Sequence, residues 1–422
     1  MRFSWKKSIL RTGLAFAILL SWVLADRPYV ILMSFDGFRY DYTEKAHTPN
    51  FDRMAQEGVR AESLKPIFPT KTFPNHYTIA TGMYAENHGI VANLFWDPVW
   101  NETYSLSNRK AVRDPKWYGG EPIWVTAEKQ GVKTASYFWV GSEAPIGGIF
   151  STYLYHYKQD VPFGDRVNEV LRLLRLPAEK RPHFVSLYFH EPDWSGHSYG
   201  PDSPETIEAV EEADSILGLL LDGVSALEIS GDVNIIVCSD HGMTRVYSDS
   251  LIFIDDYIDL SHGRMIGQGP FAFLDMGNRE SAGLVKGFFK RRAHKKIAEK
   301  LDKAHPHMRA YLRNEIPGRW HFRRNRRILD ILLVADEGWT ITTRDEYESN
   351  PNRFSARGTH GYDNINRDMH AIFYARGPAF KEGYVMPTFM NVHIYPLIAK
   401  ILEIEPYEKI DGNLDSVKAM LK

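Results

Sequence analysis

Three stretches of the chain are almost uninterruptedly apolar, and each ends on a polar cluster. YVILMSF runs into Asp36, HFVSLYF into His190-Glu191-Pro192-Asp193, and VNIIVCS into Asp240-His241. Runs of this length, rich in β-branched and aromatic residues, suit strands buried on both faces, as in parallel sheets. Between them the spacing turns helical. Thr48-Pro49 opens a segment with Phe51, Met54 and Ala55 on one face and Gly58 at its close. Ser203-Pro204-Glu205 opens another, whose Ile207, Val210, Leu217, Leu220, Leu221 and Val224 form an apolar stripe. Strand then helix, repeated, predicts an α/β fold: a doubly wound, mostly parallel sheet with helices on both faces. Ligand-binding groups in such sheets lie beyond the carboxyl ends of the strands, so the polar clusters are expected to share one crevice.

Composition refines this picture at three places. From Lys286 to Arg327 the chain becomes dense in Lys and Arg, including Lys290-Arg291-Arg292 and Arg323-Arg324-Asn325-Arg326-Arg327. That texture predicts a solvated surface on a small subdomain, about residues 262–335, inserted into a single catalytic domain of residues 26–422. At the N-terminus, Arg2, Lys6, Lys7 and Arg11 precede an apolar run from Thr12 to Leu24, and Val23-Leu24-Ala25 offers small residues for cleavage before Asp26. The run is shorter than the roughly 20 residues of a membrane span. Residues 1–25 therefore read as a signal peptide, with a periplasmic or secreted mature chain and no stable membrane anchor after cleavage. Cys238 is the single cysteine, which excludes an intramolecular disulfide and a thiolate-rich metal site. A formal charge of -2 over 422 residues gives no reason to expect a nucleic-acid polymer as partner.

Candidate chemistry lies in four separated clusters: Phe35-Asp36-Gly37, Asp193-Trp194-Ser195-Gly196-His197, Ser239-Asp240-His241-Gly242 and Gly358-Thr359-His360-Gly361. Carboxylate and imidazole ligands without thiolates suit hydrolytic Zn²⁺. Their six Asp and His residues exceed what one tetrahedral zinc uses, so two Zn²⁺ per chain are expected, about 4 Å apart as in other paired sites acting on phosphoryl groups.

Alongside these clusters stands Phe68-Pro69-Thr70-Lys71-Thr72-Phe73-Pro74-Asn75-His76-Tyr77, with MYAENHGIVAN, WYGGEPIWVTAEKQG and YGPDSPE further on. Together they resemble the ectonucleotide pyrophosphatase/phosphodiesterase family of the alkaline-phosphatase superfamily, in the manner of a bacterial-type exported member. The resemblance implies that Thr72 is the nucleophile, that Asp36, Asp240 and His241 hold one zinc with Thr72 completing it, and that Asp193, His197 and His360 hold the other. It also implies that Asn93 binds a phosphate oxygen. Physical chemistry agrees with these roles, because a hydroxyl bound to Zn²⁺ becomes acidic enough to attack without a separate base. Thr70, His76 and His88 are expected to be structural, and Glu191 to orient the neighbouring ligand.

The resemblance further implies that Phe73 and Tyr157 sandwich a base, so the expected partner is a small-molecule nucleotide or other phosphodiester. Gly119 stands where some relatives carry a lysine near the distal phosphates, which argues against a preference for nucleoside triphosphates. The rivals are a glycerophosphodiester or choline-phosphate diesterase with the same metal ligands, and a non-catalytic nucleotide-binding protein.

Overall fold

A computed structural model describes residues 27–261, 263–277 and 284–422. The expected signal peptide, residues 1–25, lies outside the described residues. Among the latter no helix is long and apolar enough to cross a membrane.

The three apolar runs form neighbouring strands at the centre of an eight-stranded sheet. Its strands are β1 (Tyr29–Phe35), β2 (Val59–Ala61), β3 (Thr134–Tyr137), β4 (Tyr153–Tyr155), β5 (Phe184–Phe189), β6 (Val233–Cys238), β7 (Phe373–Arg376) and β8 (Tyr384–Met386), in the order β8-β2-β7-β6-β1-β5-β3-β4. β1 pairs in parallel with β5 and with β6, and β3 continues the parallel set on β5 and β4. β7 alone runs antiparallel, between β6 and β2. This is the expected α/β fold, with helices on both faces of a mostly parallel sheet.

The pleat of β1 explains why its whole run is apolar. Val30 and Leu32 enter the core on one face, while Ile31, Met33 and Phe35 enter the core on the other. The first face is covered by helices Thr72–Thr81, Ile123–Lys129 and Ile394–Ile401, the second by Pro49–Gln56, Phe163–Leu174 and Pro204–Ser225. The last of these begins where the sequence signals it, with Ser203 Oγ accepting the Thr206 amide at 3.2 Å.

A second, antiparallel sheet has the order Arg264–Ile266, Phe271–Asp275, Ile331–Ala335, Met308–Leu312, accompanied by a helix over Leu284–Asp302. The basic run that closes this region departs from the solvated surface expected of it. The Arg324 side chain is 81% exposed, but that of Arg327 is 6% exposed and bonds the fully buried Asp97 at 2.9 Å, beside Arg326 at 2.8 Å. Burial disfavours the Asp97 charge, yet the two guanidiniums hold its carboxyl below the ordinary range. Arg327 also donates to the carbonyls of Gly89 and Trp117, so part of this basic run pins two loops together.

Candidate active site

Because β5, β1 and β6 are adjacent and parallel, the residues that follow them are brought to one edge of the sheet. The Asp36 amide extends the ladder to the Phe189 carbonyl at 2.9 Å, and the Asp193 amide reaches the Asp36 carbonyl at 3.0 Å. The turn after Asp36 requires glycine: Gly37 has φ +68°, and a Cβ there would lie 2.8 Å from the Asp193 Cα. Two helices frame the crevice, α1 (Thr72–Thr81) and α2 (Asp193–Tyr199). One turn of α2 separates Asp193 from His197, and the Ser195 amide donates to Glu191 Oε2 at 3.1 Å, which fixes that turn. His360 arrives from a distant loop strapped to the segment ahead of α1. Its Nδ1 faces the Thr70 carbonyl at 2.8 Å, and Thr70 Oγ1 accepts the Gly361 amide at 2.9 Å while donating to the Tyr362 carbonyl at 3.1 Å.

The six Asp and His residues gather as two trios, Asp36 with Asp240 and His241, and Asp193 with His197 and His360; in each, one ligand atom per residue lies within 4.8 Å of the others. The three histidines share a hydrogen-bonding pattern. Nδ1 of His197, His241 and His360 faces a backbone carbonyl at 2.7, 2.9 and 2.8 Å, which assigns the proton to Nδ1 and leaves the Nε2 lone pair turned inward. Facing those lone pairs are carboxylate oxygens without a hydrogen-bond donor: Asp36 Oδ1, Asp193 Oδ1 and Asp240 Oδ2. His241 Nε2 lies 3.4 Å from Asp36 and 3.0 Å from Asp240, and His360 Nε2 lies 3.7 Å from Asp193. Burial, then the neighbouring Asp240 and Asp193, push the Asp36 carboxyl well above its ordinary range. Acceptors facing acceptors, with buried carboxylates that repel one another, form an arrangement that divalent cations neutralise, and the N/O donor set fits zinc.

Thr72 is the first residue of α1, and its Oγ1 lies 3.2 Å from His241 Nε2. The N-cap residue Lys71 supplies no side-chain acceptor to the helix, so the positive end of α1 faces the crevice. Asn93 Oδ1 accepts the Phe73 amide at 2.9 Å, which leaves the Asn93 amide hydrogens to a ligand. Thr72, Phe73, Asn93 and Tyr157 all line one cavity of about 320 Å³, together with Asp36, Asp193, His197 and His360. Asp240 and His241 sit fully buried behind it.

Several neighbours of this cavity carry no obvious signal in the sequence. The Tyr188 hydroxyl donates to Asp36 Oδ2 at 2.6 Å, the Lys71 ammonium donates to the His360 carbonyl, and burial pushes the Lys71 pKa down to about 8. Arg109, Phe138 and Glu143 also line the cavity, and Glu143 Oε1 accepts the Tyr157 amide at 3.4 Å. His76 lies beneath Thr72, with Nδ1 3.1 Å from the Thr72 carbonyl and Nε2 2.9 Å from Ser34 Oγ. His88 bonds Thr78 at 3.0 Å. Gly119 does not line the cavity. It packs against the chain at His88, whose carbonyl accepts its amide at 2.8 Å, and it opens onto a different cleft shared with Lys116 and Arg326. A glycine at this position sends no side chain toward the cavity.

The sheet, the strand-end ligands and the threonine at a helix start define a protein of the alkaline-phosphatase superfamily. More narrowly, the chain belongs to the type I phosphodiesterase / nucleotide pyrophosphatase family, whose sequence model matches residues 30–363. A venom phosphodiesterase of Crotalus durissus collilineatus is 39% identical over 408 residues, covering 94% of this chain and 47% of its own. Human ectonucleotide pyrophosphatase/phosphodiesterase family member 1 is 37% identical, covering 94% of this chain and 42% of its own. A bis(5'-adenosyl)-triphosphatase of Xenopus laevis is 37% identical over 94% of this chain and 82% of its own. The chain thus spans about half the length of the first two relatives. Human ectonucleotide pyrophosphatase/phosphodiesterase 5 superposes with a TM-score of 0.84 at 35% identity, covering 93% of this chain and all of that one. An inactive form of the murine protein in complex with AMP superposes equally well at 34% identity, covering 94% of this chain.

Proposed function

We propose that this chain is an exported hydrolase that cleaves phosphodiester and pyrophosphate bonds of nucleotides and their derivatives, releasing nucleoside 5'-monophosphates through a covalent phosphothreonine. The observation that carries the reading is the position of Thr72: its hydroxyl stands at the start of α1, against the buried trio, in the lining of a cavity shared with Phe73 and Tyr157. Two zinc ions would be held by Asp36, Asp240 and His241 and by Asp193, His197 and His360. When bound, they supply the positive charge that makes a hydroxyl acidic and neutralises a phosphate diester.

The chain's own groups do the rest. Thr72 Oγ1 forms a bond to phosphorus, losing its proton to solvent, while the opposite P–O bond breaks and the leaving oxygen departs with the electron pair. The Asn93 amide, held by its bond to the Phe73 N–H, donates to a non-bridging oxygen. Water then attacks the phosphorus, Thr72 recovers its proton, and the monophosphate leaves. Phe73 and Tyr157 hold the base by stacking. Glu143, which lines the cavity with Tyr157, is engaged by Arg109 and Arg113, so this carboxylate is already compensated and is not a free anion for a trimethylammonium group. The relative from Xenopus laevis named for a dinucleoside triphosphate, and the murine complex with AMP, support nucleotides as the substrate class.

Thr72→Ala tests the reading. Turnover of a dinucleoside polyphosphate should fall at least about a thousandfold while metal content stays near that of the parent. Thr72→Ser should keep part of the rate, and acid quenching of the parent should trap nucleotide on Thr72. A near-normal rate in Thr72→Ala removes covalent threonine catalysis. Glycerophosphocholine turned over faster than every nucleotide would overturn the substrate class.

A further inference from the structure

Beside Tyr157 the cavity wall carries a charged arrangement that the proposed hydrolysis does not use. Glu143 is almost wholly buried, its side chain 5% exposed, and both of its oxygens are engaged. Oε1 accepts from the Arg109 guanidinium and from the Tyr157 backbone amide at 3.4 Å; Oε2 accepts from Arg113 Nε at 3.1 Å and faces His156 Nδ1 at 2.9 Å. A carboxylate offers about four acceptor sites. Glu143 is therefore saturated, and it does not accept a further donor from a ligand.

Arg109 is in the opposite condition. Its Nη2 is committed to Glu143, yet its side chain is 39% exposed and it lines the same cavity as Tyr157. Its backbone is fixed as the first residue of a short helix, Arg109–Val112, capped by the Asn108 side chain. A guanidinium carries five N–H donors and no acceptor. Tethered by Glu143, it presents remaining donors in one orientation beside the ring proposed to stack on the base.

We propose that Arg109 is a specificity-determining residue that reads the edge of the stacked base and makes the enzyme prefer keto bases, guanine above all, over adenine. The inference rests on the reading of Phe73 and Tyr157 as a base slot. Guanine turns two acceptors, O6 and N7, toward a guanidinium fork, whereas adenine sets an amino donor in place of O6 and meets another donor. Uracil and cytosine differ in the same sense at position 4. Glu143 acts through Arg109, as a positioning residue.

The test compares kcat/KM for the p-nitrophenyl esters of GMP and AMP, with methyl p-nitrophenyl phosphate as a baseless reference and GMP and AMP as competitive inhibitors of the parent enzyme. The expected result is a preference for the guanine ester of about tenfold, the low end of what a bidentate contact contributes. Arg109→Ala should bring the guanine-to-adenine ratio close to one, and Arg109→Lys, which keeps the charge and loses the fork, should leave it in between. Arg113→Ala removes another arm of the Glu143 pair from outside the cavity lining and should keep the ratio, which separates base reading from support of the loop. An adenine preference in the parent, weaker inhibition by GMP than by AMP, or a guanine preference surviving Arg109→Ala overturns the proposal while leaving nucleotide hydrolysis standing. If neither nucleotide ester outpaces the baseless one, the base slot itself fails, and Arg109 with it.

Discussion

The two trios contain the same kinds of donor and differ in what surrounds them. The Asp36, Asp240 and His241 side chains are 3%, 0% and 0% exposed, whereas those of Asp193 and His197 are 19% and 33% exposed and only His360, at 3%, matches the first trio. The cause lies in the elements. The closed trio comes directly from the ends of β1 and β6, which are held by register on a sheet buried on both faces. The open trio comes from the exposed turn of α2 and from the loop carrying His360, joined through Thr70. On the proposed reading the division is functional: the rigid trio fixes Thr72, and the open one leaves a face free for the phosphate and its leaving group.

That contrast predicts unequal responses to loss of a ligand, and the largest effect falls on the closed trio. Asp240→Asn should lower turnover by about a thousandfold, the several kcal/mol expected of a metal's charge stabilisation, with no recovery in excess Zn²⁺. His197→Asn should be rescued in part by excess Zn²⁺, because a loosened, accessible site can be refilled by mass action. Turnover measured against added zinc decides the matter, and identical, unrescued losses in both variants would break the contrast.

A smaller effect is expected of Tyr188→Phe, which removes the 2.6 Å hydrogen bond to Asp36 and leaves every ligand in place. Loss of such a supporting contact costs about 10–100-fold in metal affinity or activity. Competition with a chelator should show one of the two ions weakened and the other unchanged; weakening of both would mean that the trios are not separable. The smallest effect belongs to the cavity beyond them. Tyr157→Ala should raise KM for a nucleotide ester about tenfold relative to a small aryl diester, equivalent to roughly 1.4 kcal/mol of stacking. An unchanged KM ratio would mean that Tyr157 is packing alone.

Much of the frame was legible in the sequence because a strand buried on both faces has no choice but to be apolar, and the polar residues that end it stand out. β7 was not legible, since its four residues form too short a run to carry a period and its place between β6 and β2 is set by contacts with residues far away in the chain. The same limit applies to side chains. Tyr188 stands in an apolar run where an aromatic ring reads as core, and only the register of β5 on β1 reveals that its hydroxyl meets Asp36. Arg327 read as solvated because its partner, Asp97, lies 230 residues earlier. The motif around Thr72 was informative because it lies at a helix start, where local sequence and local geometry coincide.

The Thr70 strap has a consequence for the order in which the molecule is made. A chain synthesised from its N-terminus holds every donor of the closed trio once Asp240 and His241 have emerged, but the open trio waits for His360, and the antiparallel strand β7, which separates β6 from β2, comes later still. Contacts of such long sequence separation form late and slowly. On the proposed reading, a chain made only as far as His241 would hold five of the six donors and lack His360 alone, so acquisition of a second ion would be a chemical signature of a finished fold: a molecule released or trapped before the strap closes would carry zinc at one position and remain catalytically silent.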